Sequence, residues 1–342
     1  MGSACASPRD DAATDLELPQ AHPRRFQDVY TLHQKLGEGA FAVVFAASKA
    51  DGGEACFAVK VVDLREESAK GRGVLKHIMD DSEGAVDPKR RARFFDEASR
   101  LSAAQGHPNV CRIYDRFIHG SLALLVLEAC DRTLCEALEH IDALNEKSVR
   151  PFFRSMLSAL SAVHARGIVH RDVKPANFMC SGPDDTVKLC DFGLSGMLSS
   201  GTPSLTGVFG TPPFMCPEML AGEQYDTRAD AWSFGVILYT FFFGCFPYQP
   251  AKRTGAAMKD AIRSGAPAPR FAPAPALANA TRVSPNAREL ATRLLERDPA
   301  RRLSAQSALR HAFFSRPGKA PLMLMIQSAT TCGAFCALKR EN

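Results

Sequence analysis

Near residue 131 the spacing of apolar residues changes, and that change restricts the fold more than any other feature of the chain. Before it, apolar residues come in short runs, Leu32–Leu36, Ala42–Ala47 and Cys56–Val62, separated by Gly-Glu-Gly and Asp-Gly-Gly turns. Such runs are strands joined by tight turns. Two further strands are predicted at Cys111–Phe117 and Leu122–Glu128, preceded by a helix from Lys89 to Ala104. After residue 131 the spacing is three and four: within Ser148–Arg166, Phe152, Phe153, Met156, Leu157, Leu160 and Val163 share one helical face. Further helices are predicted at 217–221, 226–244, 255–264, 284–296 and 304–312, and the chain has no internal repeat. The pattern alone implies an α+β protein with a small β-rich lobe followed by a larger helical lobe.

A chain of 342 residues, 46% of them hydrophobic, can bury a substantial core. Single cores seldom exceed roughly 250–300 residues, so one large domain or two lobes are expected. Residues 1–25, rich in Ala, Asp and Pro, read as a flexible leader, and 317–342 as a C-terminal tail. Residues 63–92 are highly charged, carry Gly71, Gly73 and Gly84, and show little periodicity. They read as a surface insertion, an inert loop or a docking surface. A net charge of +5, from 42 basic and 37 acidic residues, gives no reason to expect nucleic acid as a partner. Eleven scattered cysteines without a CxxC pair are the usage of reduced thiols, so a cytoplasmic or nuclear location is expected.

The run from Phe234 to Phe246 is strongly apolar but shorter than the about 20 residues that span a bilayer, and it reads as a buried helix. Ala320–Leu338 is mildly apolar but holds Gln327, Ser328, Thr330 and Thr331, so a packing helix is expected there. Met1-Gly2-Ser3-Ala4-Cys5-Ala6-Ser7 begins like an acylated terminus, with Gly2 and Cys5 as lipid sites. Ala6 stands where Ser or Thr is preferred, so membrane association is not expected and a soluble monomer is.

Chemistry enters with Gly37-Glu38-Gly39-Ala40-Phe41-Ala42-Val43-Val44, set between two strand-like runs. Glycines let backbone N–H groups approach phosphate oxygens without a Cβ in the way. The next strand carries Lys60 in an apolar run, where an ammonium is costly unless it meets an anion. Taken alone, Gly-x-Gly is also an ordinary hairpin, and Lys60 is also a snorkelling lysine at a strand edge. The decisive stretch is Ile168-Val169-His170-Arg171-Asp172-Val173-Lys174-Pro175-Ala176-Asn177, followed after a short hairpin by Asp191-Phe192-Gly193.

With these motifs in order, the sequence resembles the eukaryotic protein kinases over residues 28–316. The resemblance implies a bilobal protein-kinase-like fold over 26–316, with an N-lobe at 26–129 and a C-lobe at 130–316. It implies a serine/threonine protein kinase that transfers the γ-phosphate of ATP, held with Mg²⁺, to hydroxyls of protein substrates. By resemblance, Leu36, Gly37, Glu38, Gly39, Val44 and Ala58 cover the nucleotide, and Lys60 pairs its α- and β-phosphates. Glu97 resembles the carboxylate partner of Lys60, with Asp96 beside it as the alternative acid. By the same resemblance, Glu128 and Cys130 belong to the adenine-binding hinge, with Leu127 at the gatekeeper position. Asp172 resembles the catalytic base, Lys174 the cation on the moving phosphoryl group, and Asn177 and Asp191 the metal ligands. Gly210–Glu218 resembles the end of an activation segment, Asp230–Gly235 the central buried helix, and Arg302 the ion-pair partner of Glu218.

The sequence departs from the family pattern at Ala42, which replaces a third glycine, and at Cys216, which replaces the alanine of Ala-Pro-Glu. Lys174 and Thr211 resemble serine/threonine rather than tyrosine kinases, and Asp191-Phe192-Gly193-Leu194-Ser195 resembles the calcium/calmodulin-dependent and calcium-dependent group. No EF-hand loop follows the domain. Thr133, Ala176 and Thr240 occupy three substrate-facing positions where acids select arginine upstream of the target, so a strongly basic consensus is not expected. Arg171 beside Asp172 implies an upstream kinase acting within 195–211. The usual acceptor position is Gly207, which leaves Thr206 as the nearest hydroxyl. Two other readings compete: an ATP-binding scaffold without transfer, which would lack a catalytic residue, and a small-molecule kinase, which would lack the protein-substrate platform of Asp191–Glu218.

Overall fold

The computed structural model describes residues 24–39, 42–54, 56–65, 85–142, 144–272 and 283–315. Gly2 and Cys5, most of the 63–92 segment and the tail from 316 lie outside the described residues. The chain falls into two compact units, one of residues up to 105 with 111–129, the other of 106–110 with 130 onward.

The first unit contains β1 (Tyr30–Glu38), β2 (Ala42–Lys49), β3 (Phe57–Asp63), α1 (Pro88–Ala103), β4 (Ile113–His119) and β5 (Leu122–Glu128). The strands form one antiparallel sheet in the order β1-β2-β3-β5-β4. Strand alternation decides which side chains are structural. In β3, Val59 and Val61 join a core with Phe26, Tyr30, Phe45, Phe117 and Leu124, so Ala58, Lys60 and Val62 turn to the opposite face. Register sets Val44 beside Lys60 and Leu127 beside Ala58, and residues paired in this way share a face. Helix α1 packs on β4 and β5 through Phe94, Glu97, Ala98 and Leu101, one turn apart on its buried stripe. Asp87 caps it by accepting the Lys89 N–H at 2.8 Å, with Pro88 at the first helical position. The helix therefore begins inside the segment read as an insertion.

The second unit contains β6 (Arg132–Thr133), α2 (Leu134–Glu139), α3 (Glu146–His164), β7 (Ile168–Val169), β8 (Phe178–Ser181), β9 (Thr186–Leu189) and β10 (Gly196–Met197). Helices α4 (Pro217–Leu220), α5 (Arg228–Phe243), α6 (Gly255–Ser264), α7 (Pro285–Leu294), α8 (Ala305–Leu309) and α9 (Ala312–Ser315) follow. Every residue of α5 from Ala229 to Phe243 is buried, as expected of a helix that is apolar all round. Among the described residues, no helix is long and apolar enough to cross a membrane. Helix α3 buries the stripe read from sequence except Phe152, which is half-buried, and its Phe153 meets Phe234, Phe241 and Phe242 at ring separations of 5.3 to 6.0 Å.

Two sequence expectations need correction, and one element was missed. The predicted helix 304–312 is two short helices, α8 and α9. Thr240 does not face a substrate: it is 2% exposed, and its hydroxyl donates to the Val236 carbonyl inside α5. Helix α2 was not foreseen, because six residues capped by Thr133 and Glu136 are too few to show a period.

Candidate active site

In the first unit the alternation of β3 and the stripe of α1 bring two charges together. Lys60 Nζ lies 2.6 Å from Glu97 Oε1, with the side chains 17% and 9% exposed. Asp96, the alternative acid, is turned away and pairs with Arg100 at 2.9 Å. At the turn after β1, the Gly39 N–H donates to the Ala42 carbonyl at 2.8 Å. Leu36 is 55% exposed. Glu128 ends β5, opposite Phe57, and accepts the Arg112 N–H.

The second unit winds a loop around one carboxylate. Asp230, in the first turn of α5 and fully buried, accepts the backbone N–H groups of His170 and Arg171, each at 2.8 Å. His164, at the end of α3, bonds the same carboxylate at 2.8 Å. Burial alone would push the Asp230 carboxyl up, but the hydrogen bond and charge of His164, with His170, hold it below the ordinary carboxylate range. His170 is itself buried; its Nε2 bonds the Cys190 carbonyl, and its Nδ1 accepts the Asp172 N–H at 3.4 Å. Arg171 adopts φ +66°, a left-handed conformation that costs a bulky side chain about 1–2 kcal/mol and persists only where its surroundings enforce it. Here Asp230 enforces it.

That loop presents Asp172, whose carboxylate is held by three side chains. Oδ1 accepts the Thr211 hydroxyl at 2.8 Å, while Oδ2 lies 2.9 Å from Lys174 Nζ and 3.2 Å from Asn177 Nδ2. Lys174 also donates to Thr211 at 3.0 Å, closing a ring of contacts. Asn177 gives a second amide hydrogen bond to the Asp172 carbonyl at 2.7 Å, so both of its contacts with Asp172 use the amide nitrogen and neither uses its side-chain oxygen. Thr211 can reach the loop because Gly210 precedes it. Gly210 has φ +101°, and a Cβ there would stand 2.3 Å from the Arg171 carbonyl oxygen.

The hairpin between β8 and β9 brings the backbone just before Asp191 against Asn177. Phe178 pairs with Leu189, so Asn177, just before β8, lies opposite the residues just after β9, and the Cys190 N–H donates to the Asn177 carbonyl at 2.9 Å. Asp191 follows at φ +58° with its side chain exposed. Farther along, Arg302 donates to both oxygens of Glu218, at 2.6 and 2.9 Å. Burial opposes the Glu218 charge, yet Arg302 holds this carboxyl below its usual range. Burial and the neighbouring Glu218 push the Cys216 thiol well up, so it is an inert packing group.

Two bonding relationships were not visible in the sequence. Thr211 served there as a marker of substrate class, whereas the structure makes it a ligand of Asp172. His164 carried no signal beyond its place at the end of an amphipathic helix.

A β-sheet unit with a lysine–glutamate pair, and a helical unit with a triply held aspartate beside an asparagine and a second aspartate, define the architecture of a protein kinase. The chain belongs to that family: the protein kinase domain model matches residues 30–314. Serine/threonine-protein kinase PAK 4 of Homo sapiens is 31% identical over 310 residues, which cover 90% of this chain and 46% of that protein. Serine/threonine-protein kinase pak-2 of Caenorhabditis elegans is 31% identical over 313 residues, 89% of this chain and 52% of that protein. Calcium/calmodulin-dependent protein kinase type II subunit delta of Oryctolagus cuniculus is 27% identical over 314 residues, 90% of this chain and 53% of that protein. The chain thus spans about half the length of these curated relatives. Their identities do not set the calcium/calmodulin-dependent kinases apart from the other kinases matched.

Proposed function

We propose that the chain is a serine/threonine protein kinase that transfers the γ-phosphate of Mg·ATP to hydroxyls of protein substrates, with Asp172 as the base. One observation carries this reading: the Asp172 carboxylate is held at once by Thr211, Lys174 and Asn177. Two carboxylate oxygens accept about four hydrogen bonds, so a place is left for an incoming hydroxyl. A carboxylate fixed in this way can orient that hydroxyl and take its proton as the bond to phosphorus forms. Lys174, bonded to both Asp172 and Thr211, is a fixed positive charge beside the reacting oxygen.

Lys60, kept in place by Glu97, is assigned the α- and β-phosphates, under cover of Leu36, Gly37, Glu38, Gly39, Val44 and Ala58. Glu128 and Cys130 are assigned the adenine by their backbones. Asn177 and Asp191 are assigned Mg²⁺. The donor set fits that ion: a carboxylate and an amide carbonyl are hard oxygen ligands, and Mg²⁺ completes its shell with water and substrate phosphates. When bound, the ion neutralises charge on the phosphates. The intact set of Lys60, Glu97, Asp172, Lys174, Asn177 and Asp191 favours a working enzyme over a scaffold.

The test compares wild type with Asp172→Ala, using labelled ATP, Mg²⁺ and a peptide library. The substitution is expected to lower kcat by about 10²–10⁴-fold. Equal rates for the two proteins would remove Asp172 from this role.

A further inference from the structure

Arg171 stands beside the catalytic aspartate, and among the described residues all of its guanidinium partners are neutral. Its Nε donates to the Leu194 carbonyl at 2.5 Å, one terminal nitrogen to the Ser195 carbonyl at 2.8 Å, and the other reaches the Tyr225 hydroxyl at 3.5 Å. Its face lies over the ring of Phe209, 4.0 Å from the centroid, an arrangement in which the ring quadrupole attracts the cation. Gly196 packs against the same group: a Cβ there would stand 3.2 Å from Arg171 Cζ.

At the position where the family resemblance puts a phosphate acceptor, this chain has Gly207. Its φ is +92°, and a Cβ would come within 2.7 Å of Phe209 Cε2. A serine or threonine at 207 would be strained and would displace the ring. The segment has neutral ties of its own as well. Leu205 and Tyr225 exchange backbone hydrogen bonds at 2.8 and 2.9 Å, Ser204 donates to Gln224 at 2.9 Å, and the Tyr225 hydroxyl donates to the Thr206 carbonyl at 3.2 Å.

We propose that Phe209 is a positioning residue: its ring backs the face of Arg171 while the Leu194 and Ser195 carbonyls and the Tyr225 hydroxyl take the N–H edge that a phosphate would otherwise hold, so phosphoryl transfer requires no modification of residues 195–211. The proposal rests on the kinase reading above. Phe209 acts through its neighbours. It fixes Arg171 and leads directly into Gly210 and Thr211, which contact the catalytic loop and Asp172. An upstream kinase, expected from Arg171 alone, would then tune the site without licensing it.

The test uses the full chain, treated with phosphatase and shown by mass to carry no phosphate, with Mg·ATP and a peptide library. Wild type, Phe209→Tyr, Phe209→Leu and Asp172→Ala are compared. Treated wild type is expected to keep its rate. Phe209→Leu keeps the apolar bulk but loses the ring face, and is expected to lower kcat about tenfold with KM for ATP little changed. Phe209→Tyr, which restores the ring, recovers most of that rate. Loss of wild-type activity on phosphatase treatment overturns the proposal, as do equal rates for the leucine and tyrosine variants. The phosphatase arm decides even if a variant folds poorly. Absence of transfer by untreated wild type, to the level of Asp172→Ala, falls first on the kinase reading and takes this proposal with it.

Discussion

The two units secure their functional charges differently. In the first, Lys60 and Glu97 meet where a strand face and a helix stripe converge, and both side chains keep some contact with water. In the second, the loop that presents Asp172 is wound on Asp230, a carboxylate with no exposure, and one of its residues is held in a left-handed conformation. For a pair so largely withdrawn from water, desolvation offsets much of the attraction, so it adds little net stability. A buried carboxylate that satisfies two backbone donors and a histidine cannot be removed without orphaning all three. The first arrangement puts charge to use at small structural cost, whereas in the second fold and chemistry depend on the same atoms.

The largest effect expected from this contrast is that of Asp230→Ala. It leaves the His170 and Arg171 N–H groups and His164 without their acceptor, and should cost about 4 kcal/mol or more of stability, read as a fall in the urea midpoint. The strain at Arg171 would relax with it, so transfer activity should fall even in conditions where the variant stays folded. A midpoint within error of wild type would break the comparison at its stronger end.

Next in size is Glu218→Gln, which breaks a bidentate buried pair and is expected to cost about 3 kcal/mol at neutral pH. Glu218 and Asp230 both lie below the usual carboxylate range when folded. The stability they contribute is therefore fully present above the unfolded carboxylate pKa of about 4, and is lost as pH falls through their lowered folded values. Wild type should lose midpoint steeply on acidification, and Glu218→Gln, which has already given up its share, less steeply. Parallel curves for the two proteins would show that Glu218 contributes nothing to acid sensitivity.

What the sequence made legible follows the same division. The face that Lys60 occupies was readable from period-two alternation around Val59 and Val61, and the core face of α3 from its three- and four-residue spacing. The motif from His170 to Asn177 was readable because its tasks are packed into eight consecutive residues. The bonds that aim those residues were not. Thr211 reaches Asp172 across 39 positions and His164 reaches Asp230 across 66, and no local pattern encodes such pairings. Choosing between Asp96 and Glu97 required the rotation of α1, which adjacent letters cannot supply. Thr240 misled because alignment assigns a position but not an environment; in a helix buried all round, no face is left for a substrate.

The smallest stability effect belongs to Glu97→Gln. The amide keeps the shape and one acceptor for Lys60 but removes the charge, and Lys60, at 17% exposure, can still reach water, so the cost is expected to be about 1–2 kcal/mol, below that of Glu218→Gln. The urea midpoint should fall only modestly, while transfer activity falls about tenfold or more, because an ammonium that has lost its fixed partner no longer sits in one place when phosphates arrive. Asp96→Asn serves as the internal control. That carboxylate is 59% exposed and faces Arg100, so neither midpoint nor rate should change. Should Glu97→Gln destabilise the protein as much as Asp230→Ala, the first unit would be built like the second, and the distinction between usable and structural charge would fail. Should activity survive Glu97→Gln but not Asp96→Asn, α1 must present its other acid during turnover, and the helix would have to rotate by one residue to do so.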